Sequence, residues 1–227
     1  MLKPATLLFL KELAKNNTKE WFDAHRTQYG VAKEDYAALI DDVIKKHSKK
    51  DASIAAESAK QAMFRINRDI RFSKDKSPYK TNFGASICKG GRKSKYAGYY
   101  IHIEPGNKSF VGGGLWMPEP DVLKSVRQEI DYRWKDFRKI ISGKKFVSVF
   151  GDLDKSAEIT LSREPKGYTK DNPAIEYIKL KHLIVAQSLD DKEISDAGLE
   201  KKILSAFEAM QPLLQFLNEA IGIDAGG

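Results

Sequence analysis

Apolar positions recur at helical spacing at Leu7, Leu10 and Leu13, and the run breaks at Asn16-Asn17. Asn17 followed by Glu20 has the spacing of a capping box. It predicts a second helix that carries Trp21, Phe22, Tyr29, Tyr36 and Ile40, so residues 4–48 are expected to be helical. Residues 49–60 are small and polar and read as a connection.

The period then changes to two. From Phe64 to Phe72 the even positions are apolar except Arg68, and the odd positions are polar, the pattern of a half-buried strand. Residues 73–78 read as a loop. A second strand follows, with Tyr79, Thr81, Phe83, Ala85 and Ile87 on one face, and Lys89 to Lys95 form a basic turn. A third strand, about 97–104, meets Pro105-Gly106, the central pair of a type II turn. A fourth runs from about 108 to 116 through Gly112-Gly113-Gly114. Hydrophobic matching of the first pair sets Ile66 against Ile87 and Ile70 against Phe83, which places Arg68 opposite Ala85.

Helical spacing returns after Pro118 and Pro120 with Leu123, Val126, Ile130, Phe137 and Ile141, and Gly143 is a stop signal. Residues 144–154 fit no single period. Ala157 to Ser162 and Leu183 to Ser188 are candidate strands around a short helix near Pro173. An amphipathic helix of about 196–220 ends the pattern, and Pro212 is expected to kink it. The predicted class is α+β, one domain over 1–227: an antiparallel meander at about residues 63–116 with N-terminal helices (about 4–48) and a helical and mixed C-terminal part (about 119–221) packed on it.

Composition narrows the classes. Hydrophobic residues make up 41% and charged residues 31% of 227, a globular balance. No apolar run approaches the roughly 18 residues of a membrane helix, and Leu7 to Leu10 is too short for a signal peptide. The lone cysteine, Cys88, excludes an internal disulfide and suits a cytoplasmic location.

The net charge of +8 is unevenly placed. Between Lys60 and Lys95, eleven Lys and Arg face only Asp69 and Asp75, a net of +9, so the remainder comes to −1. Such a segment reads as a docking surface for phosphate, nucleic acid or an acidic partner, against the plainer reading of a solvated face. Within it, Arg65, Arg68, Asp69, Arg71, Asp75, Lys76 and Tyr79 fall within fifteen residues. On a strand, Arg65, Asp69 and Arg71 share one face, so Asp69 is expected to be ionised and bonded to Arg65 or Arg71. Arg68 lies on the apolar face. There its guanidinium is expected to be largely buried against a carboxylate from another element or an anion in an open cleft.

The run Arg65-x-x-Arg68-Asp69-x-Arg71-Phe72-x-x-Asp75-Lys76-x-x-Tyr79, after a Trp21-Phe22 segment, resembles the motif of a bacterial family, domain of unknown function 2461. Further matches are Ala97-Gly98-Tyr99-Tyr100, Gly112-Gly113-Gly114 before Trp116-x-Pro118, and Pro165-Lys166-Gly167-Tyr168 before Asn172-Pro173. The resemblance implies a single cytosolic domain of about this length and no known activity.

His102 and Glu104 share a strand face with Tyr100. They lack a second pair at metal-site spacing, so no metal is expected and an exposed strand face is the plain reading. His102 as a general base, or Tyr79 as a proton donor, are the candidate catalytic groups. The glycine run fits a close strand approach or a ligand against the backbone. Trp21, Trp116 and Trp134 are expected in the core or over its edge.

Two functions follow. In the first, Arg65, Arg68, Asp69, Arg71, Lys76 and Tyr79 bind a small phosphate- or carboxylate-bearing ligand. In the second, the same segment binds nucleic acid, with Tyr79, Phe83, Tyr96, Tyr99 and Tyr100 as stacking platforms. A purely structural charge network is the third alternative. A concave pocket around the arginines favours the first function, and a broad basic face with exposed aromatics favours the second. Asp69 and Asp75 count against a polyanion. No cofactor is indicated by any motif, and the sequence leaves enzymatic activity and oligomeric state open.

Overall fold

Pro4 occupies the first turn of α1 (Pro4–Lys15), where its missing N–H costs no hydrogen bond, and Leu10 and Leu13 bury the apolar stripe. In this computed structural model, which describes residues 1–223, α2 (Lys19–Ala24) is capped by Thr18. The Thr18 side-chain oxygen accepts from the Trp21 N–H at 3.2 Å. The cap expected at Asn17 is thus displaced by one residue. Asn17 is engaged elsewhere: its amide donates to the Tyr79 C=O at 2.9 Å and accepts from the Tyr79 N–H at 3.1 Å. The long helix α3 (Arg26–His47) follows, then a 3-10 turn at Ala52–Ile54 and the short α4 (Ala59–Ala62).

Four strands form one antiparallel sheet in the order β1 (Phe83–Ile87), β2 (Gly98–Ile103), β3 (Ser109–Leu115), β4 (Leu183–Leu189). The last three strands of the expected meander are therefore present, and the fourth strand of the sheet comes from 183–189. Residues 64–72 are not a regular strand. They touch the neighbouring chain at two isolated antiparallel bridges, Met63 with Ala85 and Asn67 with Tyr79. Ala85 faces Met63 rather than Arg68, so the expected register is also corrected. The reason is burial: Phe72 is 94% exposed and Phe64 is 39% exposed, so only Ile66 of the alternating set is buried. Without a buried face, alternation has nothing to fix it.

The predicted helix after Pro120 is two, α5 (Pro120–Tyr132) and α6 (Trp134–Ile141). Arg133 sits at the joint, and its guanidinium donates to Glu129, Asp136 and Glu219. Helix α7 (Lys144–Phe150) follows the Gly143 stop, and α8 (Ile175–Ile178) lies near Pro173. Ala157 to Ser162 makes only an isolated bridge, Thr160 with Leu180. Helix α9 (Asp191–Ile194) opens on a capping box between Asp190 and Glu193, and Pro212 lies inside α10 (Leu199–Ile223). Among the described residues no helix is long and apolar enough to cross a membrane.

The chain divides into two compact units: Met1–Ile87 with Tyr100–Val111 and Ser188–Ser205, and Cys88–Tyr99 with Gly112–Gln187 and Ala206 to the end of the described residues. In the first, Tyr36 of α3 is fully buried, stacks on Phe83 at 5.4 Å, and donates to the Ile101 C=O at 2.9 Å. Phe9, Phe22, Tyr29 and Tyr79 continue that aromatic core. In the second unit Tyr99 stacks on Phe207 at 4.3 Å, and Asn218 holds both the N–H and the C=O of Ala97. Burying each large apolar side chain contributes about 1.5–3 kcal/mol. Trp116 departs from expectation, lying 63% exposed with its ring stacked on His182.

Candidate functional site

The basic motif folds as a loop closed at its neck by backbone bonds. Lys80 N–H donates to the Ile66 C=O at 2.8 Å and Arg68 N–H to the Pro78 C=O at 2.9 Å. Inside the neck the Arg68 guanidinium donates to an Asp75 carboxylate oxygen, to the Ser77 C=O at 3.2 Å, and to the Ser73 hydroxyl at 3.3 Å. The other Asp75 oxygen accepts from the Ser77 N–H and hydroxyl at 2.9 and 2.7 Å. Lys76 closes the far side by donating to the Ile70 C=O at 3.0 Å. Asp69 accepts the Arg71 fork at 2.9 and 2.6 Å, the pairing expected from their spacing, and that contact lowers the Asp69 pKa.

Hydrogen bonds from the Ser77 hydroxyl and backbone, then from Arg68, hold the Asp75 carboxyl down at about 2 against an ordinary value of 3.8. A carboxyl depressed by folding stabilises the folded loop fully above its ordinary pKa. That contribution is lost as the pH falls toward the folded value. The Ser77 amide resonance, followed by NMR, is therefore expected to hold its folded position through pH 4 and to titrate near pH 2. A midpoint close to 4 would mean that the Asp75 bonds do not form in solution.

The predicted residues are sorted by this geometry. Arg68 is half-buried, with 26% of its side chain exposed, and it meets a carboxylate of its own loop rather than of another element. The largely buried Arg68 on an apolar strand face is thus corrected, because the guanidinium bends into the loop that supplies its acceptors. Arg65, Arg71, Lys74 and Lys76 are exposed. Tyr79 is buried, stacked on Phe22 at 4.0 Å with its backbone clamped by Asn17, so it anchors the loop to α2 and presents no ring surface. Phe83 and Tyr99 are buried as well and present none. The aromatic that is presented is Phe72, with the Arg71 guanidinium 5.7 Å from its ring centre. Its alternation with polar neighbours had disguised it as a core residue.

A second cluster lies on β2 and its neighbours. His102 is 14% exposed, not on an open strand face as expected. Its Nε2 lies 2.9 Å from a Glu104 oxygen, and its Nδ1 receives the Tyr100 hydroxyl at 3.3 Å and the Asn82 amide at 3.4 Å. Phe110 of β3 stacks on the imidazole at 4.8 Å. The sequence carried Tyr100, His102 and Glu104 on one face, but nothing in it brought Asn82 and Phe110 to them.

In the second unit, Trp134, Arg138, Asp152, Glu176 and Tyr177 line a cavity of about 510 Å³. Lys155 bridges Asp152 and Glu176 at 2.8 and 2.9 Å, so the two acids share one cation. Among the described residues no group of three or more His, Cys, Asp or Glu is placed to hold a metal ion.

Helices packed on a four-stranded antiparallel sheet, with a self-paired basic loop ahead of β1, define an α+β protein. The family model described as Conserved hypothetical protein (DUF2461) matches residues 5–216, and the chain belongs to that family. No curated protein and no solved structure matches it.

Proposed function

We propose that the protein binds single-stranded nucleic acid through the loop of residues 64–80. The observation that carries this reading is Phe72, 94% exposed between Arg71 and the exposed Lys74 and Lys76. A flat apolar ring held in water beside several cations suits a nucleobase stacked on it with the flanking phosphates neutralised. Six Lys and Arg against two Asp give the segment a net charge of +4. The two acids that would repel a polyanion are each engaged by an arginine, Asp69 by Arg71 and Asp75 by Arg68.

A small phosphate or carboxylate is the weaker fit. Bidentate capture was to come from Arg68, and three of its five donors are taken by Asp75, Ser73 and Ser77. The remaining cations are spread over an exposed loop, an arrangement suited to an extended ligand. Arg68, Asp69 and Tyr79 then serve to shape the loop, while Arg65, Arg71 and Lys76 face the ligand.

Phe72→Ala removes the stacking surface and, besides the Arg71 guanidinium over the ring, no packing contact, so the fold should be untouched. Stacking is worth about 1–3 kcal/mol per base, so affinity for a fluorescent oligothymidylate should fall about tenfold or more by anisotropy. Equal binding by wild type and Phe72→Ala, or no binding by the wild type at low salt, overturns the reading. Stabilisation of the wild type by inorganic phosphate, without oligonucleotide binding, would return the loop to a small-anion role.

A further inference from the structure

The cluster around His102 forms a chain of three proton-carrying groups that the nucleic-acid reading does not use. Tyr100, His102 and Glu104 occupy alternate positions, so their side chains rise from the same side of β2. Glu104 is fixed at one oxygen by Thr81 at 3.4 Å and by Lys108 at 3.6 Å, and its other oxygen faces His102 Nε2. A carboxylate at that nitrogen keeps the proton on Nε2 and leaves Nδ1 as the acceptor. Nδ1 faces the Tyr100 hydroxyl at 3.3 Å and shares its lone pair with the Asn82 amide at 3.4 Å. The order carboxylate, imidazole, hydroxyl is the arrangement by which a histidine takes a proton from a hydroxyl and a carboxylate supports the resulting imidazolium.

The surroundings suit that use. Burial and the Glu104 charge raise the pKa of Tyr100, so the phenol holds its proton at neutral pH. Gly84 lies directly against the phenol: a Cβ there would stand 2.6 Å from the Tyr100 oxygen. Phe110 contacts the Tyr100 ring at 5.6 Å, and the half-exposed Phe64 meets it edge-on at 6.3 Å. Lys80 lies 5.2 Å from the Phe64 ring. The result is an aromatic wall beside a hydroxyl that has a base behind it.

We propose that Tyr100 is the proton-transfer group of a second site, which takes a small substrate with a planar aromatic ring against Phe64 and Phe110. The Tyr100 oxygen accepts the substrate's proton as its own proton passes to His102 Nδ1. The substrate leaves as the conjugate base, Tyr100 is again a phenol, and the imidazolium is paired with Glu104. Return of the proton from His102 to water resets the site. His102 and Glu104 act through Tyr100 and are positioning residues.

Benzenesulfonyl fluoride tests the activation of Tyr100 without knowledge of the substrate. The Tyr100 oxygen forms a bond to sulfur, the S–F bond breaks, fluoride leaves, and the phenol proton goes to His102. Tyr132, 88% exposed, is the internal reference. Mass spectrometry of the intact protein's peptides should find Tyr100 labelled faster than Tyr132, although exposure alone dictates the opposite. His102→Gln should lower the Tyr100 rate about a hundredfold, the scale of general-base assistance, and leave Tyr132 unchanged. Glu104→Gln keeps the side-chain shape and should lower the Tyr100 rate in the same direction, which covers the case in which His102→Gln does not fold. Methanesulfonyl fluoride, which lacks the ring, should lower the ratio of Tyr100 to Tyr132 labelling. Tyr100 labelled no faster than Tyr132 overturns the proposal, as do variants that label Tyr100 like the wild type. An unchanged ratio with the ringless probe overturns the aromatic substrate class.

Discussion

Gly114→Ala is expected to destabilise the protein by roughly 3–5 kcal/mol, the sum of a strained backbone and an overpacked strand contact. Gly114 has φ 124°, a conformation that L side chains rarely adopt. An added Cβ would fall on the Leu183 carbonyl oxygen of β4, deep inside contact distance. Backbone in a strand cannot turn aside as the end of a side chain can, so the strand itself must shift. Gly112 meets the Val185 carbonyl in the same way, and Gly113 lies 2.5 Å in Cβ terms from the Gly98 carbonyl oxygen. The three glycines are therefore a seam where strands approach too closely for any side chain. For a chain of this length the melting temperature should fall by about 10 °C or more in a thermal scan. Gly30→Ala is the control: it lies in α3 with nothing within 4 Å of an added Cβ, and alanine there should be neutral or stabilising. A Gly114→Ala protein that melts with the wild type would contradict the seam.

The glycine seam was legible in outline, since strand glycines in a row signal close approach. The strands 83–87, 98–103 and 109–115 were legible because buried apolar side chains recur at every second position in them, as at Phe83, Ala85 and Ile87 or Tyr99, Ile101 and Ile103. Leu183 to Ser188 had the right pattern too. A short-link meander assigned the fourth place to 64–72 instead, because local alternation carries no information about a partner seventy residues away. What defeated the alternation at 64–72 was side-chain chemistry: Arg68 finds its acceptors five to nine residues on, at Ser73, Asp75 and Ser77, and draws the chain into a loop.

The same division holds at the sites. Asp69 with Arg71, two residues apart, could be read from the sequence. The clamp of Asn17 on Tyr79 joins residues 62 apart and removes Tyr79 from the ligand-facing set. Phe72 was counted as core because its neighbours alternate, and it lies exposed on the loop instead. On β2, the i, i+2 spacing showed Tyr100, His102 and Glu104 on one face. Phe110, supplied by the next strand, covers that face, and nothing in the local spacing announced it.

The cations of the loop should dominate binding as Phe72 sets its contact. Arg65, Lys74 and Lys76 are exposed, and replacing all three with Gln removes three charges without touching the Arg68–Asp75 or Asp69–Arg71 pairs. On a single strand each neutralised phosphate contributes about 0.7 to the slope of log affinity against log salt. The triple variant should therefore lose about 2 from that slope, and its affinity at low salt should fall by well over an order of magnitude. The most direct measurement is the salt titration of oligothymidylate binding for the wild type beside this variant. Affinity that falls steeply with salt in the wild type and shallowly in the variant is the result expected of a nucleic-acid-binding loop. Parallel slopes would place the contacts elsewhere on the protein, and a wild type that shows no salt-dependent binding would contradict the account.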